Sequence, residues 1–168
     1  MKKKIVVLGF LGTNLDLGGK ARWGRWRPTI SLGQQDDLLV DRFELFYEKN
    51  FLDLAQLVQK DFQQVSPETE FNLREVVLKD PWDFQTVYSG IFDNLKDYKF
   101  DTDNEEYLVH ITTGTHVIQI CLFLLTESRH IPGKLLQTHM QKSRNPNGTY
   151  TIIDLDLSKY DKIAERFH

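Results

Sequence analysis

The sequence predicts an α/β fold with three layers: a mainly parallel sheet of strand order 3-2-1-4-5, helices on both faces, and a C-terminal β-hairpin. Apolar strand-like runs alternate with helical patterns along the chain, which is typical of parallel strands joined by right-handed crossovers. The segment Asn145-Pro146-Asn147-Gly148 then predicts a hairpin turn between the last two strands. A length of 168 residues suits one domain over residues 1–168.

The first strand and the long segment after it are the most distinctive part of the chain. Residues 4–10 are a β-branched run that suits a central, buried strand. Residues 11–35 have no clear period, and a loop of that length in a compact domain is usually functional or mobile. Residues 41–47 predict the second strand, although a helix that starts at Asp36 stays open because three apolar residues there have helical spacing.

The helices are placed by their capping residues. Asn50 is a suitable cap for the next helix, and Asp80 followed by Pro81 is typical of the start of another. The remaining elements, in chain order, are a helix over 50–65, a strand over 70–78, a helix over 80–98, a strand over 107–111, a helix over 115–130, strands over 134–140 and 150–157, and a helix over 159–167.

Composition and charge exclude several function classes. Lys and Arg total 21 against 24 Asp and Glu, so the chain is not a globally basic nucleic-acid binder. A single cysteine, Cys121, excludes a disulfide scaffold and a cysteine-rich zinc site, and makes the cytoplasm the default location. The basic N-terminus lacks a cleavage site for a signal peptide, and the apolar run 117–125 is too short to span a membrane.

Familiar catalytic and cofactor motifs are missing from the sequence. The segment after the first strand lacks the middle glycine of the dinucleotide fingerprint, and no phosphate loop ending in Gly-Lys-Ser or Gly-Lys-Thr occurs. The histidines have no metal-ligand spacing with a carboxylate. We therefore expect no catalytic residue, no metal and no cofactor in this chain.

Topology predicts where a ligand would bind. In a sheet of this order, the connections after strands one and four leave toward opposite faces, and a crevice opens at the carboxyl ends of the strands. The two loops are those after Phe10 and after Ile111. The ligand-binding residues predicted from them are Gly12, Thr13, Asn14, Thr112, Thr113, Gly114, Thr115 and His116.

The loop after strand four has the composition of a phosphate site. Gly114 lets the backbone approach a ligand, and the N-terminus of the following helix offers unpaired N–H groups and partial positive charge. The threonine hydroxyls and the imidazole of His116 add hydrogen-bond donors. The alternative is a capping segment that binds nothing, with Thr113 as the N-cap.

Cations and tryptophans interleave in the loop after strand one, and residues 17–35 contain no acid. Arginine binds phosphate oxygens through two parallel hydrogen bonds and tryptophan stacks on bases, so the pattern suits a single-stranded or cyclic oligonucleotide. The alternative is that the tryptophans pack in the core while the arginines are solvated or pair with acids. The additional ligand-binding residues predicted here are Arg22, Trp23, Arg25, Trp26 and Arg27.

Several of these segments resemble the RtcR family, the sigma-54-dependent activators of a bacterial RNA-repair operon. The resemblance extends over nearly the whole chain. The segments that carry it are Gly9-Phe10-Leu11-Gly12-Thr13, Arg22-Trp23, Trp26-Arg27-Pro28-Thr29, Asp41-Arg42-Phe43-Glu44-Leu45, Ser66-Pro67-Glu68-Thr69-Glu70, Pro81-Trp82-Asp83-Phe84, His110-Ile111-Thr112-Thr113-Gly114-Thr115-His116 and Ile153-Asp154-Leu155-Asp156-Leu157-Ser158.

The resemblance implies a regulatory domain of the CARF type, a CRISPR-associated Rossmann fold. Such domains form homodimers and bind oligonucleotides, often cyclic oligoadenylates, with the loops after strands one and four. For this family it implies sensing of RNA fragments with 2′,3′-cyclic phosphate ends. It also implies control of an AAA+ ATPase that acts on sigma-54 RNA polymerase, and higher oligomers of the full-length protein. Neither that ATPase nor the helix-turn-helix domain has a counterpart in these 168 residues.

The resemblance leaves a second function open. Some CARF domains are enzymes that cleave their own cyclic oligoadenylate without a metal, by aligning a ribose hydroxyl with a phosphate. A third possibility is a purely structural oligomerisation domain. Many CARF proteins carry two adjacent glycines after strand four, where this sequence has Gly114 alone, so the resemblance does not identify the ligand.

Overall fold

The computed structural model describes residues 2–141 and 145–155. Within these residues, six strands form one sheet, and four α-helices and two short 3-10 helices accompany it. The strands are β1 (Lys4–Phe10), β2 (Arg42–Tyr47), β3 (Glu70–Glu75), β4 (Glu105–His110), β5 (Gly133–Gln141) and β6 (Asn145–Ile153). The helices are α1 (Pro28–Ser31), α2 (Leu52–Val65), α3 (Phe84–Leu95) and α4 (His116–Glu127), with 3-10 helices at Arg22–Gly24 and Lys49–Phe51.

The sheet has the predicted topology. Its strand order is β3-β2-β1-β4-β5-β6, with β1 to β5 parallel to their neighbours and β6 antiparallel to β5. This confirms the Rossmann-like α/β fold, the order 3-2-1-4-5 and the closing hairpin. The topological switch point therefore lies between β1 and β4, as the sequence predicts.

Burial on both faces explains why β1 lies at the centre of the sheet. Successive side chains of a strand point to opposite faces, so Val6 and Val7 enter different cores. The core that contains Val6 is covered by α3 and α4, and the core that contains Val7 is covered by α1 and α2. The three layers result from this alternation in a strand that has no polar side chain after Lys4.

Two helix starts differ from the predicted ones. Helix α2 begins after a 3-10 turn that contains Asn50, and no side chain caps it. Helix α3 is capped by Asp83, whose side chain accepts from the backbone N–H of Thr86, rather than by Asp80. Asp80 instead accepts from the backbone N–H of Trp82, because a short acidic side chain also closes turns before a helix. The alternative helix from Asp36 is wrong, since Arg42–Tyr47 is the parallel strand β2.

The hairpin turn is not at the predicted position. Asn145 pairs with Gln141 in the β5–β6 ladder, so residues 145–148 belong to β6. Gly148 has a φ of +74°, and the register shifts between His139 and Gln141. The turn-like composition thus serves an irregular strand that packs on α1, rather than the reversal itself. Strand β6 ends at Ile153, and the predicted helix over 159–167 lies outside the described residues.

No helix within residues 2–141 and 145–155 is both long enough and apolar enough to cross a membrane.

Candidate ligand-binding site

A cleft of about 420 Å³ opens at the carboxyl ends of β1 and β4. The loop after β1 and the loop after β4 both line it, so the structure brings together the two loops that the topology argument selected. A third segment, between β3 and α3, also reaches it. The residues that line the cleft are Gly12, Thr13, Asn14, Leu15, Trp82, Thr112, Gly114, Thr115, His116 and Gln119.

Thr113 joins the two loops below the cleft. Its side chain is fully buried, and its hydroxyl donates a hydrogen bond of 2.6 Å to the backbone carbonyl of Phe10. Its methyl group packs so close to Gly12 that a Cβ at position 12 would lie 2.9 Å from the Thr113 Cγ2. Gly12 is therefore required for the close approach of the loops. Thr113 therefore connects the two loops of the cleft and is not itself one of its lining residues.

Asp16 holds the loop after β1 in place. The carboxylate is fully buried and accepts from the backbone N–H of Gly12 at 2.9 Å. It also accepts from Thr29, through the backbone N–H at 3.0 Å and the hydroxyl at 2.6 Å. Burial raises the pKa of Asp16, and these three donors oppose that rise. Sequence reasoning missed this residue, although Asp16 is the only acid between residues 11 and 35.

The loop after β4 ends in a regular helix cap. Gly114 has a φ of +89°, which turns the chain into α4 in a conformation that favours glycine. Thr115, and not Thr113, is the N-cap, because its hydroxyl accepts from the backbone N–H of Ile118 at 3.1 Å. The other first-turn N–H groups of α4 point toward the cleft end of the helix, where the helix dipole is positive.

Hydrogen bonds to neighbouring residues hold the loop after β4 in place. The amide of Gln119 donates to the carbonyl of Gly114 at 3.0 Å and to that of Thr112 at 3.4 Å. The hydroxyl of Thr112 accepts from the backbone N–H of Thr138 on β5 at 2.9 Å. These contacts fix the loop without a ligand, so the cleft is preformed.

Trp82 is one of three lining residues that the sequence analysis did not select, the others being Leu15 and Gln119. Its side chain is 61% exposed, and its ring centroid lies 5.4 Å from that of His116 at an interplanar angle of 61°. The predicted helix start at Asp80 would have put Trp82 in a first helical turn. A tryptophan in the connection at the carboxyl end of a strand was the available signal.

The arginine–tryptophan segment, residues 22–27, lies against α2. Arg22 and Arg27 both bind the buried carboxylate of Asp61, at 2.7 and 2.8 Å. Burial raises the pKa of Asp61, but the hydrogen bonds from the two guanidinium groups outweigh it and hold this pKa below its usual value. The alternative interpretation, that the arginines of this segment pair with an acid, therefore holds for Arg22 and Arg27.

The other members of the segment have different surroundings. Trp23 is 41% exposed, with the guanidinium of Arg27 4.8 Å from its ring centroid. Trp26 packs against the hairpin, where a Cβ at Gly148 would contact its indole. Arg25 is exposed and donates to the backbone carbonyls of Leu17 and Gly18.

None of residues 22–27 lines the cleft, and contact between these five predicted residues and a ligand stays a prediction. The lining itself contains hydroxyls, amides, backbone N–H groups and one imidazole, with no Lys, Arg, Asp or Glu. Such a neutral set of donors at a helix N-terminus suits a phosphate. Within the described part of the chain, no three His, Cys, Asp or Glu side chains are placed to hold a metal ion.

Comparison with known proteins identifies the family. The family model described as RtcR, regulator of RNA terminal phosphate cyclase, matches residues 3–168. The transcriptional regulatory protein RtcR of Escherichia coli K12 is 47% identical over 170 residues, which cover 98% of this chain. The chain spans 32% of the length of that relative.

Two solved structures share the fold. Csm6 of Enterococcus italicus, bound to cyclic hexa-2′-fluoro-hexa-dAMP, matches with a TM-score of 0.69 and 14% identity over 99% of this chain and 46% of its own. Can2 of Sulfobacillus thermosulfidooxidans, in complex with cyclic tetra-adenylate, matches with a TM-score of 0.55 and 17% identity over 89% of this chain and 37% of its own. The sequence match extends from end to end, and on that ground the chain belongs to the RtcR family.

Proposed function

We propose that this chain is a ligand-sensing regulatory domain that binds an RNA-derived oligonucleotide in the cleft between the loops after β1 and β4. A terminal phosphate, such as a 2′,3′-cyclic phosphate, would accept hydrogen bonds from the first-turn N–H groups of α4 and from the side chain of His116. The observation that carries the proposal is the preformed cleft at the topological switch point, which ends on a helix N-terminus and contains no acid.

The fold neighbours support an oligonucleotide as the ligand class. Csm6 and Can2 were solved with cyclic oligonucleotides of adenylate type, and both share this fold. A linear RNA end and a cyclic oligoadenylate present the same chemistry to the cleft, a phosphodiester flanked by riboses and bases. The experiment below therefore includes both.

We further propose that ligand binding controls a sigma-54-dependent activator of RNA repair. The support is membership of the RtcR family and the 47% identity to the E. coli transcriptional regulator. Because the chain spans 32% of that relative, an AAA+ ATPase that remodels sigma-54 polymerase would lie in other parts of the protein. The domain would act in the cytoplasm and as a homodimer.

We propose that the chain binds its oligonucleotide without cleaving it, and so would not act as an enzyme. Rapid phosphodiester cleavage benefits from a positioned acid and base, and the cleft lining offers one imidazole, that of His116, with no Asp, Glu or Lys beside it. A ring-nuclease activity on cyclic oligoadenylate remains the competing function, and the same samples distinguish the two by analysis for cleaved product.

The test measures affinity for three probes: a short RNA ending in a 2′,3′-cyclic phosphate, the same RNA ending in a 3′-hydroxyl, and cyclic tetra-adenylate. We expect one of the phosphate probes to bind more tightly than the hydroxyl RNA. His116→Ala should weaken the affinity for that phosphate probe about tenfold or more, as expected for loss of a hydrogen bond to a charged group.

His139→Ala is the matched control. His139 is exposed on the hairpin and contacts Thr151 rather than the cleft, so its loss should leave affinity unchanged. Equal binding by the His116→Ala variant and the wild type would refute the assigned cleft. Recovery of a shortened product in excess of the protein would favour the enzyme.

A further inference from the structure

We propose that Trp82 is the stacking platform for a nucleobase next to the phosphate bound at the N-terminus of α4. This inference rests on the proposed function and adds a subsite to it. The segment that carries Trp82 follows β3, and so it belongs to neither of the two loops that form the switch-point crevice. The base would thus contact Trp82, which lines the cleft, and not Trp23 or Trp26.

The exposure of Trp82 is the first argument. Burying an indole stabilises a fold by several times the free energy of one buried methylene, yet this side chain keeps 61% of its surface exposed. The other large apolar residue of the cleft lining is Leu15, which is also exposed. The polar donors of the cleft thus have an apolar surface beside them, and a nucleotide needs both.

The second argument is that the backbone around Trp82 is fixed on both sides. The backbone N–H of Trp82 donates to the side chain of Asp80 at 3.0 Å. The carbonyl of Pro81 accepts from the hydroxyl of Thr115, the N-cap of α4, at 3.1 Å. Immediately after Trp82, Asp83 caps α3 through the backbone N–H of Thr86 at 2.9 Å. The backbone on both sides of Trp82 is therefore tied to the starts of α3 and α4, which reduces the backbone entropy lost when the ring stacks on a base.

The third argument is the position of Trp82 relative to the proposed phosphate. The Thr115–Pro81 hydrogen bond joins the tryptophan segment directly to the cap of α4. The ring of His116, the first residue of α4, meets the indole with centroids 5.4 Å apart and planes at 61°. The two rings thus pack edge to face, which places the indole beside the first turn of α4.

This geometry predicts how the site selects its ligand. Every base has a π face, so stacking on Trp82 should tolerate base identity and penalise the absence of a base. The loss of one such contact corresponds to about fivefold to a hundredfold in affinity.

The experiment compares two RNAs that end in a 2′,3′-cyclic phosphate, one with a normal terminal nucleotide and one in which that nucleotide is abasic. Trp82→Ala should weaken binding of the normal RNA by about tenfold or more, and binding of the abasic RNA by less than about twofold. Trp82→Phe should restore most of the loss. Quenching of tryptophan fluorescence by the normal RNA should disappear in Trp82→Phe.

Phe84→Ala is the matched control, because Phe84 is an exposed aromatic residue two positions away that does not line the cleft. Unchanged melting of Trp82→Ala would show that the variant folds. If the wild type binds the normal RNA but Trp82→Ala weakens both RNAs equally, or neither, the stacking subsite is refuted while the proposed function stands. If the wild type binds neither RNA nor cyclic tetra-adenylate, the proposed function fails and the subsite fails with it.

Discussion

His110 is a buried histidine that the fold keeps neutral. It is fully buried at the end of β4, and burial lowers the pKa of its imidazole to about 3. Its Nε2 lies 2.9 Å from the hydroxyl of Thr138, while Nδ1 has no partner within the described residues. A second ring proton would therefore have no acceptor, so the imidazole stays neutral. Its hydrogen bond with Thr138 joins β4 to β5.

The pH dependence of stability should reveal this residue. The unfolded chain takes up a proton on His110 below its ordinary pKa of 6.5, whereas the folded chain does so only near 3. The stability that comes from keeping His110 neutral is thus fully present above pH 6.5 and is lost as the pH falls toward 3. We expect the free energy of unfolding, measured with urea, to drop by about 2 kcal/mol between about pH 8 and about pH 5.

His110→Gln should flatten that profile, because glutamine can still bond to Thr138 but does not titrate. The same slope in the variant and the wild type would show that other groups cause the pH dependence.

At the scale of elements, Asp61 attaches the arginine–tryptophan segment to α2. The segment has no helix or strand long enough to hold itself, since it contains one 3-10 turn and precedes the four-residue α1. Two guanidinium groups that share a buried carboxylate replace that support. The hydroxyl of Ser31, in α1, donates to the backbone carbonyl of Asn147 and so extends the same connection to β6.

Two arginines of this segment should therefore behave differently. Arg27 is 3% exposed and paired with Asp61, so Arg27→Ala should destabilise the fold by about 3 kcal/mol, or about 10 °C in melting temperature. Arg25 is exposed and contacts only backbone carbonyls, so Arg25→Ala should change stability by less than about 0.5 kcal/mol. Melting curves of the two variants provide the check.

Similar melting temperatures for both variants would contradict this assignment of Asp61. A solvated Arg27 could be replaced with little change in stability, as we expect for Arg25. The ion pair that buries Arg27 makes us expect the opposite for that residue.

At the scale of the whole molecule, charge is distributed so that the cleft is neutral inside an acidic chain. The formal net charge is −3, and the cleft lining contains no Lys, Arg, Asp or Glu. Backbone N–H groups and hydroxyls bind a phosphate without releasing many counterions. Ligand recognition should then depend on geometry more than on long-range attraction.

The salt dependence of RNA binding tests this distribution. For single strands, each phosphate neutralised by a cation contributes about −0.7 to the slope of log K against log salt concentration. We expect a slope shallower than about −1 in a titration of the cyclic-phosphate RNA at increasing NaCl concentrations.

A slope of about −2 or steeper would show that cations outside the cleft contact the RNA. Arg25 is the exposed arginine of the segment, and Arg25→Ala should then reduce the slope by about 0.7. That result would support the sequence-based prediction that residues 22–27 take part in binding.

The candidate site shows how far local patterns lead. The loops after Phe10 and Ile111 were predictable because alternating strands and helices are typical of a doubly wound sheet, and the usual order of such a sheet determines where the crevice opens. The roles within the loops were not predictable in the same way. Thr113 is of a residue type that binds phosphate, but it is buried against Phe10. Trp82 lies within the helix predicted from Asp80, but in the structure it lines the cleft.

The sequence by itself determined the alternation of strands and helices, because apolar periodicity acts over a few neighbouring positions, and the order typical of doubly wound sheets then selected the two loops of the cleft. Only the tertiary structure decided which polar groups pair. Arg27 and Asp61 are 34 positions apart, and Ser31 and Asn147 are 116 apart. Such partners are chosen by the free energy of burying a charge or a donor, which depends on what the folded chain places beside it and not on any local pattern.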